Sequence, residues 1–294
     1  MLGLQMNQNE QITQAIIQQL NAGFPVILVS LINVQGSAPR HEGTKMAVLA
    51  DGRIFGTIGS SLIEAAAIEE AKTLFSVKKS RILSFELNGK DATVSDMICG
   101  GAAKILLDYI APSPENRELF RRWYDISDQG KEFYILTHLT TNNNQCQVLG
   151  RAILQQDKSV LVNTSMPAGD VENLKKELYN VSSSALLNLG DAYIMVDRIR
   201  SLKRLFCFGA GHVAVPTVHL AAMVGFRATV FDDREEYANK ERFPEAYETI
   251  IVKDYAHALD GFQIDKDCYI VIFTRGHQYD RIALEHSLKT SAGY

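Results

Sequence analysis

The sequence predicts an α/β protein: a C-terminal doubly wound parallel sheet preceded by an N-terminal mixed α+β domain. From residue 201 onward, apolar runs of strand length alternate with helical patterns, which implies right-handed βαβ units. Before that point the strands come in clusters with helices interspersed, and one pair is joined by Asp51-Gly52, a dipeptide suited to hairpin turns. The length of 294 residues suits two domains at about 100–200 residues each. The boundary is expected near residue 200, giving domains 1–200 and 201–294, with a secondary joint near residue 112.

In order, a helix is expected over Asn9–Leu20, where Ile12, Ala15, Ile16 and Leu20 form one stripe. Strands follow at Val26–Val34, Lys45–Leu49 and Arg53–Thr57, then a helix over Leu62–Phe75. Arg81–Leu87 and Lys104–Ile110 read as strands, with an irregular segment between them. A polar helix Glu115–Ser127 precedes strands Glu132–Leu139 and Gln145–Ile153, a helix Val171–Tyr179 and a strand Ala192–Asp197. The C-terminal series is strand Arg204–Phe208, a helix from His212, strand Ala228–Phe231, a short helix Glu235–Arg242 and strand Glu248–Val252. A helix Tyr255–Leu259, strand Asp267–Thr274 and helix Tyr279–Lys289 complete it.

Composition excludes several classes. With 46% hydrophobic and 22% charged residues, the chain can bury a core and is not disordered. A net charge of −4 leaves no basic excess for a nucleic-acid partner. No apolar run approaches the roughly 18–20 residues of a membrane helix, and the N-terminus carries no secretory pattern. A cytoplasmic protein without a membrane or nucleic-acid partner is expected. The 4 cysteines, Cys99, Cys146, Cys207 and Cys268, show no CxxC spacing and give neither a zinc site nor a redox dithiol. Cys146, Cys207 and Cys268 fall in apolar strand patterns and read as core.

Residues 204–214, RLFCFGAGHVA, place Gly209, Gly211 and Ala214 in a GxGxxA turn between strand and helix. The first glycine allows the turn, the second lets a phosphate approach the backbone, and the third small residue lets helix pack on strand. About 20 residues on, Asp232 and Asp233 end the next strand, where an acid commonly bonds a ribose 2′-hydroxyl. Like-charge repulsion from Asp232 would disfavour a 2′-phosphate. This is a Rossmann-like pattern; it either binds a nucleotide such as NAD or keeps the turn for packing alone. His212 opens the following helix, and His277, in Thr274–His277, ends the fourth strand; both belong on the ligand side.

In the N-terminal domain, Gly36-Ser37-Ala38-Pro39-Arg40 holds an arginine on a proline-stiffened turn, suited to an anion or simply to the surface. Residues 54–64, IFGTIGSSLIE, form a second strand–turn–helix. Ser61 and Glu64 match a capping box. The competing reading is an anion-binding helix start built from Gly59, Ser60 and Ser61. Cys99-Gly100-Gly101 offers either an accessible thiol that could serve as a sulfur or metal ligand, or a small buried residue beside a turn.

Taken together, GSAPR at 36–40, GTIG at 56–59 with Glu64, CGG at 99–101, FGAGHVA at 208–214, Asp232-Asp233-Arg234 and TRGHQYD at 274–280 resemble the XdhC/CoxI family in the family's order. The resemblance implies an accessory protein that binds the molybdenum cofactor (molybdopterin) as cargo, assists its sulfuration, and inserts it into a xanthine dehydrogenase-type molybdenum hydroxylase. Such a protein is not itself the hydroxylase. The implied partners are that apo-enzyme and a cysteine desulfurase-type sulfur donor, and a homodimer is expected. Cys99 then becomes the candidate ligand near molybdenum. Gly36, Ser37, Arg40, Gly59, Ser60, Ser61, Gly100 and Gly101 are the candidate cofactor contacts. Two departures stand out. Ser60 and Ser61 replace glycines usual in the family, and the chain ends at Tyr294, where the family usually continues into another strand, so the last domain is expected to be truncated. The competing functions are an NAD-dependent oxidoreductase, supported by the glycine turn and Asp232, and a non-catalytic nucleotide-binding regulator.

Overall fold

A computed structural model of the chain describes residues 8–36, 40–86, 101–142, 145–178, 181, 184–188, 192–200 and 202–294. They divide into two compact units, Gln8–Arg200 and Ser201–Tyr294.

The first unit is built around β1 (Val26–Gly36). Successive side chains of a strand point to opposite faces, and both faces here are apolar. Val26 and Leu28 pack on Ile12, Ile16 and Leu20 of α1 (Gln8–Asn21) and on Leu119, Phe120 and Trp123 of α3 (Pro114–Asp128). Ile27, Val29 and Leu31 face the other way, onto Ile63, Ala67, Ala71 and Leu74 of α2 (Ser61–Val77). Those four recur at helical spacing and define one buried stripe. The third helix starts where Ser113 Oγ accepts the Asn116 N–H at 3.2 Å, with Pro114 just inside.

The remaining strands are β2 (Lys45–Leu49), β3 (Ile54–Gly56), β4 (Ser80–Glu86), β5 (Gly101–Ile110), β6 (Phe133–Asn142), β7 (Gln145–Gln155), β8 (Val160–Thr164), β9 (Ser184–Asn188) and β10 (Tyr193–Ile199). They form one sheet in the order β3-β2-β1-β5-β4-β7-β6-β10-β9, with β8 beside β7. A fourth helix, α4 (Ala168–Glu177), covers Tyr134, Leu136, Ala152 and Val196 with Val171 and Leu174. Strands β8 and β9 were not expected from the sequence.

The sheet curls strongly. Lys45 on β2 and Asp197 on β10 lie six places apart in the strand order, yet Lys45 Nζ sits 2.8 Å from Asp197 Oδ1, with both side chains about 96–97% buried. Gly43 O and Ser184 Oγ supply further bonds to the pair at 3.1 and 2.8 Å. A second interior pair joins Arg151 to Asp108 at 2.5 Å. Asn116 Oδ1 and Ser80 Oγ complete it.

In the second unit, β11 (Arg204–Phe208), β12 (Arg227–Asp232), β13 (Glu248–Ile251) and β14 (Cys268–Ile272) form a parallel sheet in the order β13-β12-β11-β14. Numbered within the unit this is 3-2-1-4, one half of a doubly wound sheet. Leu205 and Cys207 pack with Ala214, Val218 and Ala221 of α5 (Ala214–Met223) on one face. Phe206 and Phe208 pack with Tyr255 and with Ala283 of α6 (Asp280–Ser287) on the other. The fold class is therefore the expected one.

Two expected helices do not form. Residues 235–242 are turns, because side chains compete with the helical ladder: Asn239 Oδ1 takes the Arg242 N–H at 3.0 Å and both Arg234 and Arg242 stack on Tyr237. Tyr255–His257 is a single 3₁₀ turn capped by Asp254. Among the described residues no helix is long and apolar enough to cross a membrane.

Lys45→Met strands the Asp197 carboxylate in the interior and should cost about 3–5 kcal/mol. The double replacement Lys45→Met/Asp197→Leu should recover most of that loss. Urea denaturation at neutral pH measures both.

Candidate functional site

In the first unit the glycine motifs meet at one end of the sheet. Gly36, the last residue of β1, is paired in register with Gly101, the first residue of β5. The GSAPR and CGG segments therefore adjoin through their described ends. Ser37, Cys99 and Gly100 lie outside the described residues.

Arg40 links the first motif to the second. Its exposed side chain crosses directly over Gly59, so that a Cβ at Gly59 would lie 2.1 Å from Arg40 Cγ. Gly59 also has φ +86°, a backbone that side-chain-bearing residues avoid. Both the turn and the arginine's path require glycine there.

The capping box expected at Ser61 and Glu64 does not form. The residue flanking α2 is Ser60, whose side chain makes no capping bond. Glu64 reaches back instead: its Oε1 accepts the Ile58 and Gly59 N–H groups at 2.9 and 3.0 Å and the Thr57 hydroxyl. Two of the amides that an anion could have used are thus already bonded. The amides of Ser61, Leu62 and Ile63 in the first turn of α2 have no intrahelical acceptor, and Arg40 crosses Gly59, two residues before that turn begins. Ser60 is half-buried and Ser61 exposed.

In the second unit the strand order reverses between β11 and β14, the place where open α/β sheets bind ligands. Gly209 (φ +108°) follows β11, and a Cβ on it would lie 2.4 Å from the Phe273 carbonyl oxygen just past β14. Gly211 is different: nothing lies within 4 Å of where its Cβ would be. His212 is exposed. Across the switch point, Thr274 and His277 both bond Asp280, through Thr274 Oγ1 at 2.6 Å and His277 Nδ1 at 2.6 Å. Burial pulls the Asp280 carboxyl up, but those bonds outweigh it and hold the group below the usual carboxylate range.

Asp232 departs from expectation. It is 1% exposed. Oδ1 accepts the Arg234 backbone N–H (3.1 Å) and Nε (2.8 Å); Oδ2 accepts the Ala210 N–H (2.8 Å) and Arg234 Nη2 (3.1 Å). A carboxylate has about four lone-pair positions, and all are filled, so none is left for a ribose hydroxyl. Asp232 instead ties the glycine turn to the end of β12. Burial raises its pKa, yet the bonds from Arg234 and Ala210 prevail and leave it lowered. The acid that remains more open is Asp233, 3.7 Å from Arg234 Nε. The adjacent Arg234 was the signal that sequence reading passed over.

Cys146, Cys207 and Cys268 are buried free thiols, as expected. Burial pushes the Cys146 and Cys207 thiols up to about 12. Among the described residues no group of His, Cys, Asp and Glu is placed to hold a metal ion.

A half Rossmann sheet with its glycine turn at the switch point, and a curled antiparallel sheet with a glycine corner crossed by an arginine, define an α/β protein built of two glycine-turn units. Residues 19–86 match the family model described as the XdhC and CoxI family, and residues 205–294 match that of the XdhC Rossmann domain. The chain belongs to the XdhC/CoxI family. It is 22% identical over 268 residues to a Bacillus subtilis (strain 168) protein described as a probable xanthine dehydrogenase subunit, covering 91% of this chain and 77% of that protein. It is 30% identical over 93 residues to the molybdenum cofactor insertion chaperone PaoD of Escherichia coli (strain K12), covering 31% of this chain and 28% of PaoD. A solved structure described as a xanthine dehydrogenase from Bacillus halodurans shares the fold, with TM-score 0.77 and 23% identity over 96% of this chain and 80% of that one.

Gly59→Ala should cost about 1–3 kcal/mol, from its left-handed backbone and the displaced Arg40. Gly59→Ala/Arg40→Ala should recover the part due to the collision, read as urea midpoints. The pH dependence of the second unit follows from Asp232 and Asp280. Their folded-state values lie below the unfolded ones, so the stability they contribute is present above about pH 4 and is lost as pH falls through the folded values. Denaturation midpoints taken between neutral pH and pH 3 should fall for the wild type and fall less steeply for Asp232→Asn/Asp280→Asn.

Proposed function

We propose that this protein binds the molybdenum cofactor and assists its insertion into a xanthine dehydrogenase-type molybdenum hydroxylase, and that it is not itself the hydroxylase. The observation that carries the reading is the convergence at one sheet end, with Gly36 paired to Gly101 and Arg40 lying across Gly59. The cofactor combines an anionic phosphate with a metal that takes sulfur ligands. Arg40 and the first-turn amides of α2 supply charge and donors for the anionic end. Cys99, two residues before Gly101 in the sequence, supplies the thiol for the metal end. Sulfuration before delivery requires a cysteine desulfurase-type donor as a second partner beside the apo-enzyme. The name of PaoD and the two family matches support the same reading.

An NAD-dependent oxidoreductase is the weaker alternative. The residue that would read the ribose, Asp232, already has its acceptor positions filled.

Protein purified from a cofactor-producing host should carry molybdenum and pterin in stoichiometric amounts. Cys99→Ala and Arg40→Ala should each lower that content by about tenfold, the worth of one lost charge-assisted contact, with unchanged thermal unfolding. Full loading of both variants would overturn the site assignment.

A further inference from the structure

The first unit contains a groove of about 510 Å³ that no motif marks, lined by Lys78, Lys79, Ser80, Tyr109, Thr140, Cys146, Gln147, Val148 and Arg151. It lies at the C-terminal end of α2. The glycine corner lies at that helix's other end, and 17 residues at about 1.5 Å each separate the two by roughly 25 Å.

The topology opens the groove. Among the described residues, strand β4 pairs with β7 only through Ser80↔Cys146 and Arg81↔Gln145. On its other side β7 pairs with β6 from Gln145 to Gln155, and Leu149 is an extra residue between the His138↔Gly150 and Leu139↔Val148 pairs. Such a bulge bends its strand and leaves a gap that β4 does not fill. Helix α2 closes above it with Lys78 in the left-handed conformation (φ 55°), its N–H on Leu74 O.

Its charge is one-sided. Three lining groups are cationic and none is a carboxylate. Asp108 lies behind Arg151, engaged by Arg151 Nη2 and Ser80 Oγ, so three positive charges against one negative leave a formal +2. The partial negative charge at the end of α2, about half a unit, does not cancel that. Arg151 is held rigidly by Asp108 and Asn116, so little ordering cost remains when it meets an anion. Ser80, Thr140 and Gln147 add polar groups, and Tyr109 and Val148 form a wall for an organic moiety. The volume is that of a small-ligand site. We propose that this groove binds the phosphate monoester of a small organic molecule, with Arg151, Lys78 and Lys79 holding the phosphate and Tyr109 and Val148 the remainder.

Pyridoxal 5′-phosphate is the probe. Its aldehyde condenses with a lysine amine, releasing water, and added borohydride reduces the imine to a permanent label located by peptide mapping. The label should concentrate on Lys78 or Lys79, be suppressed by inorganic phosphate, and be absent at these positions when pyridoxal replaces its phosphate ester. Gln147 is exposed at the groove, and Gln147→Glu should cut labelling by about tenfold through charge repulsion without shifting thermal unfolding. Lys78→Gly, which suits the left-handed backbone, should move the label to Lys79 or abolish it. Even labelling of the exposed lysines, equal labelling by pyridoxal, no competition by phosphate, or labelling unchanged in Gln147→Glu would each overturn the proposal.

Discussion

A lysine and an aspartate buried against each other determine how the N-terminal sheet closes. Lys45 and Asp197 come from strands near opposite ends of the strand order, and they meet only if the sheet curls. A buried ion pair adds little net stability, because desolvating two charges costs about as much as their attraction returns. Its effect is selective: any packing that separates the two leaves a bare charge in hydrocarbon. The curl in turn gives β1 two apolar faces, one against α1 and α3 and the other against α2. That arrangement fixes the end of β1 beside the start of β5, where the glycine motifs meet.

The corner there is organised from within. Glu64 bonds the turn before α2 and consumes the Ile58 and Gly59 amides. A turn left to itself would offer those amides as a nest for an anion. In this protein the carboxylate fixes the loop's shape so that Gly59 presents a bare Cα to Arg40. The positive character of the corner therefore resides in a side chain and a helix end, not in the loop amides. An arginine laid over a glycine has a defined path and keeps its guanidinium free to meet a ligand, a compromise between ordering and reach.

Much of this was legible in sequence, for a physical reason. Val26–Val34 and Arg204–Phe208 are apolar runs bounded by turn residues, and burial on two faces leaves such runs no alternative but a strand. Strand β8 was missed because it is a short edge: its apolar run is just Val160-Leu161-Val162, and of Val160–Thr164 none is buried, so three residues without alternation gave no strand signal. The site was legible as motifs but not as geometry. Strand order is a long-range property, and nothing local in GSAPR or CGG states that Gly36 faces Gly101. Glu64 was misread because a carboxylate in the first turn of a helix suits two local partners, the capping serine or the preceding turn, and propensity does not choose between them. The groove at Lys78 and Arg151 has no signature at all, since its residues come from four separated segments.

The C-terminal turn shows how a motif divides between packing and binding. Gly209 is demanded by the chain itself, through its backbone angle and the nearby Phe273 carbonyl. Ala214 is fully buried against the sheet, so its small size is also explained by packing. Asp232 braces the turn through Ala210 and is neutralised by Arg234. These three positions would persist in a Rossmann domain that bound nothing. Gly211 alone has open space where a side chain would be. Its glycine is the one feature of the motif that internal packing leaves unexplained. A Cβ there would obstruct the close approach of an anionic group to the main chain. The ligand signal in this unit therefore rests on Gly211 and the helix start beyond it, and not on the acid that conventionally accompanies them.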